Sequence, residues 1–93
     1  MTERSILVLE RTRDELQRHG ASAVRFIPFG HQLLAAAGAV DAVIAECRAQ
    51  PFATPNLRLA AHRAMGALEV LFTRGEELRH PEAYQVLLDI AYL

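Results

Sequence analysis

The side chains of this sequence able to carry chemistry are four histidines, His19, His31, His62 and His80, a single cysteine, Cys47, and a short acidic group, Glu76, Glu77 and Glu82. Metal sites hold such groups at short fixed spacings, as in His-Glu-x-x-His, because one helical turn then aims two imidazoles at one ion. Here the histidines are far apart, and none has a cysteine or carboxylate at ligand spacing. His62 and Glu69 lie close in azimuth on a helix but two turns apart, about 10 Å along its axis, so they meet only through a third group. No metal, no cofactor and no acid/base pair is therefore expected. His19 and His80 fall beside expected helix ends, where an imidazole caps the backbone or favours the dipole.

The remaining candidates read the same way. Gly20, Gly30, Gly38, Gly66 and Gly75 are scattered and follow no strand, so they form no phosphate-cradling loop. Gly38 and Gly75 read as helix ends. Gly66 lies inside a helix, where glycine costs about 1 kcal/mol relative to alanine; either a neighbouring helix packs closely on it or a partner's backbone does, and the first is the simpler account. Cys47 continues an apolar stripe and reads as a small core residue. Glu82 favours the positive end of a helix, and Glu76 and Glu77 read as solvated. Phe26, Phe29 and Phe52, with Pro28 and Pro51, read as plugs under two turns. The chain is expected not to be an enzyme.

Ninety-three residues, 52% of them hydrophobic, suffice for one helical domain, residues 1–93. The net charge of −1 lacks the basic excess of a sequence-independent nucleic-acid binder and points to protein partners instead. All ten basic residues are arginine, whose weakly hydrated fork suits interfaces. A lone cysteine, no signal peptide and no long apolar run place the protein in the cytoplasm, away from membranes.

The elements that must position these residues are helices. Thr2 caps a first helix over 3–19 that Gly20 closes, with Ile6, Leu9 and Leu16 on one side and the four-apart pairs Arg11/Glu15 and Asp14/Arg18 on the other. A second helix, 22–37, is kinked at Pro28. A third, 39–50, carries Val40, Val43, Ile44 and Cys47 at i, i+3, i+4 and i+7. Thr54 and Pro55 start a long fourth helix, 55–74, stopped by Gly75. A fifth, 81–92, begins at Pro81. Ile90, Ala91, Tyr92 and Leu93 end the chain without polar residues, so this helix either folds back on the core or docks on another chain.

The helix over 55–74 is the most informative. At roughly 100° per residue, Leu57, Ala61, Ala64, Leu68 and Leu71 form its main apolar face, flanked by Met65 and Phe72. Leu59 and Val70 lie nearly opposite, which gives the helix two sides to bury. Arg58, His62, Glu69 and Thr73 form a polar stripe between them, free to meet solvent or a partner.

The stretch HQLLAAAGAVDAVIAECRAQP followed by TPNLRLAAHRAMGAL resembles an armadillo repeat, of the armadillo/HEAT type, in which a helix ending at an alanine-glycine pair leads to a second helix, a proline-containing turn and a long third helix. Gly38, Ala39, Val40, Ala42, Val43 and Ile44 match the second-helix signature; Ala60, Ala61, Arg63, Ala64 and Leu68 match the small-residue face of the third. The resemblance implies a helical layer, about one repeat and a fraction, and hence a truncated or capping unit. Ala67 stands where peptide-binding members carry an asparagine, so that binding mode is not implied. GALEVLFTRGEE also resembles the end of a PUB domain, without its aromatic-glycine ending.

The function expected is a non-catalytic protein-protein interaction module, an adaptor or scaffold subunit that binds another protein or a second copy of itself. Arg58, His62, Glu69, Thr73, Tyr84, Tyr92 and Leu93 are its candidate partner-binding residues. The alternatives are a small helical inhibitor or regulator of a larger enzyme or nucleoprotein complex, and a weak helical nucleic-acid binder using Arg58, Arg63 and Arg74.

Overall fold

The computed structural model describes residues 2–23, 29–49, 54–72 and 80–92. These form four α-helices: α1 (Glu3–Ala23), α2 (Phe29–Ala49), α3 (Pro55–Phe72) and α4 (Pro81–Ala91). The fold is all-α, with four helices among the described residues where five were expected. The junctions at 24–28, 50–53 and 73–79 lie outside the described residues, and with them Pro28, Phe26, Pro51, Phe52, Arg74, Gly75, Glu76 and Glu77.

Two expected boundaries are corrected. Gly20 does not close α1, which continues to Ala23; the glycine is buried on the same side as Leu9, Thr12 and Leu16. Gly38 does not end a helix either. α2 runs unbroken from Phe29 to Ala49, because Leu33, Ala36 and Ala37 precede Val40, Val43 and Ile44 in a single phase, and one continuous stripe needs one continuous helix.

Consecutive helices pack on one another, and α4 also contacts α1, so the four surround one core in a body 41 Å long and 20 Å across. Leu9 and Leu16 from α1, Leu33, Val40, Val43 and Ile44 from α2, Leu57, Leu68 and Leu71 from α3, and Leu87 and Ile90 from α4 are all at most 3% exposed. Each such side chain contributes about 1.5–3 kcal/mol on burial. α4 thus folds back on its own chain, which settles the fate of Ile90 and Ala91; Tyr92, just beyond them, stays 72% exposed.

α1 and α2 run antiparallel, as three contacts at descending register show. Arg48 donates to Glu10 at 2.8 Å, Arg13 donates to Asp41 at 2.7 Å, and Gly20 faces Leu34. A Cβ on Gly20 would stand 2.8 Å from Leu34 Cγ and 3.0 Å from the Leu34 backbone nitrogen, so any larger residue would force Leu34 or the helix crossing to shift. The ion pairs therefore join two helices, whereas Arg11/Glu15 and Asp14/Arg18 form none among the described residues; Asp14 instead accepts from Arg13 at 3.0 Å. No helix among the described residues is long and apolar enough to cross a membrane.

Candidate interaction face

α3 begins where its sequence says it should. The Thr54 hydroxyl accepts from the Leu57 backbone N–H at 3.0 Å, the Thr54 carbonyl accepts from the Arg58 N–H at 3.0 Å, and Pro55 occupies the first helical position, where no amide hydrogen is needed. From that start the 3.6-residue period turns Leu57, Ala61, Ala64, Met65, Leu68 and Leu71 into the core. α4 lacks an equivalent side-chain cap. His80 is its N-cap residue and is buried, but its contribution to the cap is its backbone carbonyl, which accepts from the Tyr84 N–H at 3.0 Å.

α3 and α4 are antiparallel neighbours joined on their outer edge by two contacts. Tyr84 donates its hydroxyl to Glu69 Oε1 at 2.8 Å. One end further along, the rings of His62 and Tyr92 meet edge to face at 5.4 Å between centroids. Four of the candidate residues, Glu69, Tyr84, His62 and Tyr92, are thereby brought into one ridge, and Arg58 stands half-buried on the same helix. Thr73 and Leu93 lie outside the described residues, as does the side chain of Phe72. The bond to Glu69, and then partial burial, push the Tyr84 hydroxyl above the ordinary tyrosine range, because a phenolate beside a carboxylate would place two negative charges together.

The side of α3 opposite the core is the part sequence reasoning described incompletely. Leu59 is 49% exposed and Val70 44% exposed, so the second apolar side is not covered by the described residues of the chain. Gly66 lies between them, and a Cβ built on it would meet nothing within 4 Å. Close packing of a neighbouring helix of the same chain, the simpler account of this glycine, is therefore corrected. Arg63 completes the outward line Leu59, Arg63, Gly66, Val70, spaced four, three and four apart, a seam of the kind that two packed helices share.

The other reactive side chains are dispersed. Cys47 is half-buried against the core, and burial pushes its thiol above the ordinary range, away from the nucleophilic thiolate. His19 does not cap a helix end: it lies within α1 with its ring edge-on to Phe29 at 6.2 Å. His31 is exposed on α2. No group of three His, Cys, Asp or Glu among the described residues has a metal-holding arrangement. Two surface hollows follow α1, one along Arg11, Asp14, Glu15 and Arg18 and one where Arg13 and Asp41 bridge to α2 beside Gly38; neither is lined by a histidine. Compared with known proteins, the chain matches no family model, no curated protein and no solved structure.

Proposed function

We propose that this chain is a non-catalytic protein-protein interaction module, in which the outer face of α3 and its ridge with α4 hold another protein or a second copy of this chain. The observation that carries the reading is the seam just described: two large aliphatic side chains, Leu59 and Val70, about half exposed on one line with an unfilled glycine notch between them. Single exposed apolar residues are ordinary on a protein surface, whereas apolar residues aligned at helix-pairing intervals form a face that gains from cover. Gly66 adds weight, since glycine inside a helix is unfavourable and no described residue packs against the space it leaves. Beside the seam, Tyr92 and Tyr84 supply aromatic bodies with polar tips, the side-chain chemistry enriched at binding hot spots, and His62, Glu69 and Arg58 supply a polar rim.

The resemblance of residues 32–68 to an armadillo repeat supports the same class, since stacked helical layers present such faces to proteins. α2 is continuous where the repeat has its junction at Gly38 and Ala39, so the support extends to layered helices in general and not to a peptide groove. The test is paired affinity purification with the native sequence and with Leu59→Glu. Partners retained by the first and lost by the second, with the helical spectrum unchanged, support the reading; identical partner sets from both remove it.

A further inference from the structure

We infer that the occupant of the α3 seam is the α3 seam of a second copy of this chain, packed antiparallel about a two-fold axis between Arg63 and Gly66. This rests on the interaction reading above and names its partner. Two identical helices packed antiparallel across a two-fold pair position i of one with a position j of the other such that i and j have a constant sum. With the axis at that point, Leu59 faces the second copy's Val70, Arg63 faces its Gly66, and both pairs recur by symmetry. Each pairing is complementary in kind. Aliphatic meets aliphatic at the ends, and at the centre a long side chain meets the position that has none, so the arginine stem fills the notch while its guanidinium reaches the rim.

The flanks agree with the same register. A two-fold of this kind brings each flank of the seam against its own copy. On one flank stand His62 and Glu69, both exposed. In the stated register His62 lies within two residues of facing the second copy's Glu69, about 3 Å of axial offset, so an imidazole N–H donor meets a carboxylate twice. On the other flank stand Ala60 and Ala67, which face each other with a similar offset and are small enough to let two helix axes approach closely. A different partner would need none of this internal symmetry, which makes self-association the specific reading. One helix pair buries less than a standard interface, so the dimer is concentration-dependent.

The experiment is a sedimentation-velocity series on the whole chain, up to about 1 mM, where even millimolar association is visible. The expected result is a mass rising with concentration toward twice the 10.3 kDa of one chain. Leu59→Glu should weaken the association about tenfold or more, by placing a carboxylate opposite the aliphatic Val70. Val70→Glu should do the same, so that two variants, each checked for native helicity, carry the test if one of them fails to fold. Register is read separately in a Cys47→Ser background: under mild oxidation Leu59→Cys chains should join Val70→Cys chains, and neither should join itself, since like positions are about 16 Å apart along the axis. A monomer throughout the series, a dimer indifferent to both glutamates, or self-joined cysteines would overturn the inference. A monomer whose purified partners are nevertheless lost in Leu59→Glu would overturn the second copy alone and leave the interaction reading standing.

Discussion

Three glycines inside helices give the packing a sharp test, because the same substitution has opposite signs at different positions. Replacing a helix-interior glycine by alanine removes backbone freedom from the unfolded chain and stabilises by about 0.5–1 kcal/mol when the methyl group finds room. At Gly38 and Gly66 a Cβ meets nothing within 4 Å, so the full gain is expected at each. At Gly20 the methyl would approach Leu34 Cγ to 2.8 Å, Cδ2 to 2.9 Å and the backbone nitrogen to 3.0 Å. The leucine side chain is half-buried and has some freedom to rotate, but the backbone yields only if α2 moves away from α1, against the Arg13–Asp41 and Arg48–Glu10 bridges. Overpacking of this kind costs about 1–3 kcal/mol, which exceeds the propensity gain and leaves a net loss of about 1 kcal/mol.

The assays are equilibrium urea denaturation and thermal unfolding, both followed by far-UV circular dichroism, at a protein concentration low enough that self-association contributes nothing. Gly38→Ala and Gly66→Ala should each raise the thermal midpoint by several degrees, at about 4–8 °C per kcal/mol for a domain of this size, and Gly20→Ala should lower it. Gly38 and Gly66 lie on different helices, and a Cβ at either meets nothing within 4 Å, so the effects should add in the double variant Gly38→Ala/Gly66→Ala. If Gly20→Ala is as stable as Gly38→Ala, the α1/α2 crossing is not where the structure has it, and the account of Gly20 as a packing residue is wrong.

Other consequences are more local. Thr54→Ala removes the acceptor of the Leu57 N–H and should cost about 1 kcal/mol in the same denaturation assay, while Thr54→Ser should cost far less. Leu68→Ala empties a fully buried position in the C-terminal part of α3 and should destabilise by about 2–5 kcal/mol, in contrast to the exposed Leu59 on the same helix, where alanine should change stability little. For Tyr84, ultraviolet titration of the phenol in a Tyr92→Phe background should give a midpoint above the ordinary value of about 10, returning toward it in Glu69→Gln. Because the folded value is raised, the stability linked to this phenol is intact below the unfolded value and is lost as pH rises through the folded one.

The helical class and the anchors of three helix starts could be read from residue types alone, since capping is a local matter. Thr2 accepts from the Ser5 N–H at 3.2 Å, Thr54 caps α3, and Pro81 opens α4. Boundaries that depend on glycine were misread because glycine has two uses: it ends helices by adopting a left-handed conformation, and it admits close neighbours within them. Sequence does hold a signal that separates the two. Gly20 falls on the buried side with Leu9 and Leu16, as a packing residue should, and the apolar stripe of α2 keeps its phase across Gly38, as it would not across a turn. The ion pairs were misassigned for a related reason. Four-apart spacing identifies partners on one helix only, and the partners of Arg13 and Arg48 are 28 and 38 residues away.

α3 marks where periodicity stops being informative. Angular placement determines which residues share a side, so the core face and the opposite pair Leu59 and Val70 are both recoverable from sequence. Whether a side is covered depends on how many neighbours the chain has to give, and that is a property of topology. With α2 and α4 packed against α3 and α1 closing the far side, the described helices cover one apolar side of α3 and leave the other at 44–49% exposure. A helix with two apolar sides in a four-helix body therefore differs from the same helix in a stacked solenoid, where the next repeat would cover the second. Under the proposed pairing, the glycine at the centre of that side is the position at which a second helix could approach α3 most closely, since a Cβ there meets nothing within 4 Å among the described residues.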